Sequence, residues 1–276
     1  MIILVMISII IIQYNSQELT IQAIDSLKKH LSGDYEIIVV DNASPNADLE
    51  QLLSAHPDIN LIRNNENYGF GRANNIGAEQ ATGGKFLFLN NDTIVKSNFI
   101  PIVETYFEKE EDLGILAPKL LNADGTLQIS VGPLPSILNE FWVKFSSILF
   151  YSRREPFLSY FNKYYSSCRD VDFATGAALF MKKSTFEVIA GFDENIFMYF
   201  DDSILCKKVK EQRLRILYTP EFEITHFCGA SWNDEITHAL KSHYRKSQLY
   251  YYKKYRPAIE NFLLRLYLKL TNKQTG

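Results

Sequence analysis

Five short segments carry side chains suited to gripping a phosphorylated ligand or moving a proton. Asp41 closes the apolar run 35–40 and precedes Asn42-Ala43-Ser44-Pro45. A carboxylate at such a strand end can accept hydrogen bonds from a ribose or a base, although Asp is also a common turn residue. Gly69-Phe70-Gly71-Arg72-Ala73-Asn74 opens a helical stretch. Glycine there lets backbone N–H groups approach an anion, and Arg72 adds positive charge. Read as a dinucleotide fingerprint the segment fails, because Asn74 replaces the third glycine and no strong strand directly precedes it. Asn90-Asn91-Asp92 follows a buried run; a carboxylate fixed there can hold Mg²⁺ or Mn²⁺, with water and phosphate oxygens filling the other positions. Asp193, Glu194, Asp201 and Asp202 crowd one short span. Paired acids at a helix start complement its dipole, and each neighbour also raises the other's proton affinity, which suits a general base. His226 ends a short strand, where imidazole serves as a metal ligand or simply as a satisfied polar group.

The elements that must place these residues follow from hydrophobic periodicity. The continuous apolar run Ile7–Gln13 reads as a parallel strand covered on both faces. Met1 to Ile12 lacks the basic flank and small-residue cleavage site of a signal peptide and is shorter than the ~20 residues of a membrane span. Leu19, Ala23, Leu27 and Leu31 share one helix face. Strands at 35–40, 60–63 and 85–89 alternate with helices at 48–55 and 72–81, which predicts an α/β fold with a mostly parallel sheet. Ligands then lie beyond the carboxyl ends of the strands, where Asn15, Asp41 and Asp92 all fall. Asp124-Gly125 centres a hairpin over 120–127. The stretch 133–168 shows no clear period and mixes aromatics with Lys144, Arg153 and Arg154. Strand-like order returns at 171–182, helices follow at 184–189 and 202–212, and short strands at 215–218 and 223–226. The tail from Asp234 reads as helical with a break at Pro257.

Composition excludes several classes. A formal charge of −3 gives no case for nucleic acid as the main partner. Three scattered cysteines form neither a disulfide framework nor a zinc set and suit a reducing cytosol.

In order along the chain, Asp41, Gly-Phe-Gly-Arg-Ala-Asn-Asn, Leu-Asn-Asn-Asp, Thr-Gly-Ala, Gly-Phe-Asp-Glu, Tyr-Phe-Asp-Asp and His-x-x-Gly-x-Ser resemble the family 2 glycosyltransferases of GT-A fold, in particular their rhamnosyltransferase-like branch. The likeness runs from Ile7 to about Tyr255. It implies an inverting enzyme with a GT-A catalytic domain over 1–256, an acceptor-side insertion at 133–168 and a helical tail at 257–276. Asp202 matches the general base, paired with Asp201 where the family has Glu. The nucleotide-sugar contacts implied are Asn15, Asp41, Asn42, Gly71, Arg72, Asn75, Asn90 and Asn91. Asp92 and His226 would hold the divalent metal, Mg²⁺ or Mn²⁺. The donor is a nucleoside-diphosphate sugar, with a tilt towards dTDP-rhamnose, and the acceptor is a saccharide or lipid-linked saccharide of surface polysaccharide synthesis. Ile204 departs from the family pattern, which carries an acid there, and this keeps open a non-catalytic sugar-nucleotide-binding protein of the same fold. A sugar-nucleotide pyrophosphorylase lacks support, because no Gly-rich loop follows the first strand. The aromatic-rich stretch 133–168 and the run 262–270 suit a lipid–water interface, which places the chain in the cytoplasm, peripheral at the inner face of the cell membrane. Packing on the domain, or on a second copy in a homodimer, is the competing expectation for both.

Overall fold

A computed structural model describes residues 6–227 and 234–271, with backbone only for 234–239. Along the chain run β1 Ile7–Gln13, α1 Gln17–His30, β2 Tyr35–Asp41, α2 Leu49–Ala55, β3 Asn60–Arg63, α3 Phe70–Gln80, β4 Lys85–Asn90, β5 Thr93–Val95, α4 Ile100–Lys109 and β6 Leu113–Leu121. There follow β7 Val131–Gly132, α5 Ile137–Tyr151, α6 Phe157–Tyr164, β8 Arg169–Val171, β9 Phe173–Ala174, β10 Ala178–Lys182 and α7 Lys183–Val188. The chain continues with α8 Asp201–Glu211, β11 Arg215–His226, α9 Asp234–Tyr255 and α10 Ala258–Leu270.

The main sheet has the order β3-β2-β1-β4-β10-β6-β11-β5, with β8 beside β11. From β3 to β4 all pairings are parallel, as the alternating pattern predicts. β10 then enters antiparallel to both β4 and β6, so the second half of the sheet is mixed. Side chains alternate across a strand, and the isoleucines of β1 divide accordingly. Ile7, Ile9 and Ile11 join a core with Ile24 and Leu27 of α1 and Val103 and Phe107 of α4. Ile10 joins the opposite core with Ala73 of α3, Phe186 of α7 and Val209 of α8. Burial on both faces is why β1 reads as an unbroken apolar run.

Two regions differ from the sequence expectation. The stretch 133–168 forms α5 and α6, not irregular chain. Ser136 caps α5, its Oγ accepting from the Asn139 N–H at 3.1 Å, but apolar residues surround the helix on all sides and leave no stripe to read. The strands expected at 215–218 and 223–226 are one strand, β11, whose register on β6 shifts between Thr219 and Glu223. Pro220 falls in that shift, where a missing N–H is tolerated.

A third cluster joins the tail to the domain: Leu264 and Leu268 of α10 and Tyr251 and Tyr252 of α9 pack against Ile196, Phe200 and Ile204. Ile204 is fully buried there. An acid at 204 would lie uncompensated in apolar surroundings, which accounts for the departure from the family pattern.

α3 lies close on the sheet through Gly77, where a Cβ would stand 2.6 Å from Ile10 Cγ2. Gly77→Ala is expected to lower stability by about 1–3 kcal/mol through overpacking, read as a drop in the urea midpoint; an unchanged midpoint would contradict this packing.

Candidate active site

The register of the parallel strands brings the first site residues to one rim. Gln13 pairs with Asp41 and Ile12 with Asn90 at the carboxyl ends of β1, β2 and β4. Asp41 is buried; Gln13 Nε2 donates to its Oδ1 at 3.1 Å and the Ser44 N–H to its Oδ2 at 3.2 Å. Asn15, in the left-handed region at φ 54°, donates its N–H to Ser44 Oγ.

β5 pairs antiparallel with the end of β11, setting His226 opposite Thr93. This brings Asn90, Asp92 and His226 together across more than a hundred residues of chain. His226 Nδ1 lies 2.9 Å from Gln128 Oε1. The amide orientation is fixed in turn: Gln128 Nε2 donates to Asn122 Oδ1, while Asn122 Nδ2 donates to Thr126 Oγ1 and Leu127 O. In the neutral ring the proton therefore belongs on Nδ1 and the lone pair on Nε2, an assignment made from the network. Nε2 is 3.3 Å from Asn90 Nδ2 and 3.2 Å from Asp92 Oδ1. Two acceptors facing each other at that distance repel unless a cation or a proton lies between them. Both side chains are about nine-tenths buried, so the donor set, one carboxylate and one oriented imidazole beside an amide, fits a divalent ion completed by diphosphate oxygens and water. Among the described residues no group of three or more His, Cys, Asp or Glu side chains could hold a metal. Cys228 to Ser231, the remainder of the His-x-x-Gly-x-Ser pattern, lies outside the described residues.

The carboxylate pair at the start of α8 reaches the same rim through one tripeptide. Gly176 N–H donates to Asp202 Oδ2 at 3.1 Å, and the adjacent Ala177 C=O accepts the Asn90 N–H at 2.9 Å. Ser203 N–H holds the other oxygen, Oδ1, at 2.7 Å. Burial raises the Asp202 pKa against these hydrogen bonds, which lower it. Asp202 keeps partial solvent contact, whereas Asp201 is only 3% exposed. The sequence grouped the two as catalytic; the fold turns Asp201 inward behind α3. Its Oδ1 would stand 2.9 Å from a Cβ at Gly71 and has no hydrogen-bond partner among the described residues. Burial, then repulsion from Asp202, pushes its pKa well above the carboxylate range.

The backbone leading into this pair is strained. Tyr199 and Phe200 both adopt positive φ, 67° and 65°, at a cost of about 1–3 kcal/mol each. Contacts around them hold the turn: Phe70 N–H donates to Phe197 O at 2.9 Å, Ser247 Oγ donates to Met198 O, and Phe197 stacks on His243. Gly69 permits the first contact, because a Cβ there would lie 2.1 Å from Phe197 O.

Other expected site residues have their side chains engaged within the protein. Asn42 ties the loop 64–69, bonding Asn64, Asn67, Tyr68 and Gly69. Asn75 grips both backbone groups of Phe192 and bonds Glu194. Asn91 donates to Ser16 and Thr20 of the α1 start. Arg72 is half exposed, stacked on Tyr68 and 3.7 Å from Glu194. Asp193 is buried against Lys254, Tyr250 and Tyr255, which pins α9 to the turn before α8. Of the four clustered carboxylates, Asp202 is the one held beside the rim with solvent contact; Asp193 and Glu194 brace the loop. Sequence reasoning missed Gln128, which orients His226 from a hairpin 98 residues away and carries no motif. It noticed Thr175-Gly176-Ala177 without seeing that this segment joins Asp202 to Asn90.

The pattern of Glycosyl transferase family 2 matches residues 8–189. The chain belongs to this family. It is 28% identical over 213 residues to the low-salt glycan biosynthesis hexosyltransferase Agl10 of Haloferax volcanii, covering 76% of this chain and 63% of that protein. It is 27% identical over 256 residues to the rhamnosyltransferase WbbL of Escherichia coli K12, covering 89% and 92%. Among solved structures, the mannosyltransferase PcManGT of Pyrobaculum calidifontis, in complex with GDP-Man and Mn²⁺, superposes with a TM-score of 0.58 at 17% identity, covering 90% of this chain and 63% of that one. At that identity the likeness shows the fold, which is GT-A. The chain thus spans under two thirds of the haloarchaeal relative and of the mannosyltransferase.

Two outcomes follow from this geometry. Gln128→Ala is expected to weaken Mn²⁺-dependent donor affinity about 10- to 100-fold, measured by calorimetry with UDP and dTDP; wild-type affinity would show that the imidazole needs no orientation. Asp201 binds its proton more tightly folded than unfolded. The stability it gives is full below the unfolded pKa of about 4 and is lost as pH rises through the raised folded value. Asp201→Asn is therefore expected to raise the thermal midpoint at pH 7, with the gain vanishing near pH 4; equal midpoints at pH 7 would contradict the burial.

Proposed function

We propose that the chain transfers a sugar, with inversion, from a nucleoside-diphosphate donor to a saccharide or lipid-linked saccharide hydroxyl. The observation that carries this reading is the short path from Asp202 through Gly176 and Ala177 to Asn90, and from Asn90 to His226 and Asp92. It sets a raised-pKa carboxylate beside a pair of facing acceptor atoms at one rim of the sheet.

Asp202 accepts the proton of the acceptor hydroxyl as that oxygen bonds to the anomeric carbon. The bond to the diphosphate breaks on the opposite face, and its electron pair leaves with the nucleoside diphosphate. Gly176 and Ser203 N–H groups fix the carboxylate so that its remaining lone pairs face the acceptor. Asp41 at the end of β2 offers a buried carboxylate to the nucleoside; the Phe70 and Gly71 N–H groups at the α3 start, expected to meet the phosphates, are instead taken by Phe197 O and the Asp201 carboxylate. A divalent ion held by Asp92 and His226, Mg²⁺ or Mn²⁺, would supply positive charge to the departing diphosphate. The likeness to WbbL supports a deoxyhexose donor such as dTDP-rhamnose and a role in surface polysaccharide synthesis.

Asp202→Asn is expected to lower transfer by about 10²–10⁴ while calorimetry shows donor affinity unchanged. The wild-type acid limb of kcat/KM is expected above the ordinary carboxylate range, because burial raises the Asp202 pKa. Wild-type turnover in the Asn variant would remove Asp202 as the base.

A further inference from the structure

Two helices of the described chain leave an apolar row uncovered. On α5, Leu138, Phe141 and Phe145 point outward and are 80%, 74% and 46% exposed. On α10, Ile259, Phe262 and Leu266 are 60%, 60% and 42% exposed. Each set is spaced i, i+3, i+7, one face of a helix. The rows begin side by side: the Ile137 N–H donates to Glu260 Oε2 at 3.3 Å, and Ile137 packs against the cluster to which Leu264 and Leu268 belong. The inner face of α10 is thus spent on the domain, while Ile259, Phe262 and Leu266 stay exposed among the described residues.

Exposed charge on these helices is basic, and in the α5–α6 connection Arg153 and Arg154 outnumber the exposed Glu155. Lys144 of α5, Lys163 of α6 and Arg265 and Lys269 of α10 are all exposed. The acids of the same helices are turned away or paired: Glu140 accepts from Tyr252 and Gln248 beneath α5, and Glu260 is paired with Arg256. A basic, aromatic-rich face on a chain of net charge −3 matches an anionic surface, not a second copy of itself, which would oppose like charges. Rings of Trp142, Phe145 and Phe157, clustered 6.0–6.5 Å apart beside Lys144, have the composition that settles at headgroup level. No described helix is long and apolar enough to cross a membrane, so the contact lies in the interface plane.

We propose that the outer faces of α5 and α10 dock on an anionic lipid bilayer. Both helices are joined to α9, which braces the turn before Asp202 through Phe200, Tyr244 and Tyr251. The membrane would thereby lie beside the acceptor side of the site, where a lipid-linked saccharide presents its hydroxyl. The docking itself stands on the surface alone; only its purpose rests on the sugar-transfer reading.

The test is co-sedimentation of the full chain with phosphatidylcholine vesicles, with and without about a third phosphatidylglycerol. Binding to the anionic vesicles and weak binding to the neutral ones is expected. The double variant F141D/F262D should abolish it, and K144E/K269E should reduce it by about fivefold or more for each lysine lost. All four positions are exposed, and calorimetric donor affinity should stay at the wild-type value, so loss of vesicle binding and loss of the donor site are separately read. Equal binding to both vesicle types, no binding to either, or a sedimentation-velocity dimer broken by F141D/F262D would overturn the proposal, the last in favour of a second copy.

Discussion

Asp92 Oδ1 and His226 Nε2 face each other 3.2 Å apart, and that confrontation of two lone pairs governs the architecture around it. It is tolerable only where a positive charge is supplied between them, and it is maintained only because both groups are fixed from behind. Asp92 belongs to the turn between β4 and β5, and its own C=O accepts the Phe227 N–H at 2.9 Å. His226 is oriented by Gln128, itself held by the Asn122 turn. The ladder between β5 and β11 carries both residues to the rim together. A proton on the ring or a cation between the two atoms relieves that repulsion, and the bracing from behind keeps both atoms in position for it.

The same reasoning explains the carboxylates of α8. Two adjacent acids buried side by side are unfavourable, and the chain resolves this by giving them different surroundings. Asp202 is bonded by the Gly176 and Ser203 N–H groups and keeps solvent contact, so it can ionise and exchange protons. Asp201 is enclosed behind Gly71 and held towards the neutral form. Separating two acids by environment gives each its own proton affinity. The left-handed turn at Tyr199 and Phe200 is the backbone expense of this arrangement, and aromatic packing from α9 offsets it.

The tail helices therefore belong to the site's support. Asp193 with Lys254, Tyr250 and Tyr255 clamps α9 to the loop before α8, while Ile204 locks α8 into the cluster shared with α10. An apolar residue at 204 stands where the family pattern has an acid, and the position is fully buried in that apolar cluster. What reads in sequence as a weakened motif is in the folded chain a packing contact.

Much of the chain was legible from its residues. Ile7–Gln13, the α1 face and the break at Pro257 follow from local apolar period and from proline, which act over a few residues and need no partner. The acids and the histidine were recognisable as chemistry because few other roles suit them at strand ends. Tertiary structure alone decided which of them meet. Gln128 reaches His226, and Gly176 reaches Asp202, across gaps of 98 and 26 residues that no local pattern spans. It also decided that Asn42, Asn75 and Asn91 have their amides engaged in loop contacts and that Asp201 turns inward, since hydrogen-bond partners are assigned by packing, not by residue type. The helices of 133–168 stayed hidden for a related reason: a helix apolar on its outer face as well as its inner one has no stripe to betray it, and only the folded domain shows which side is left uncovered.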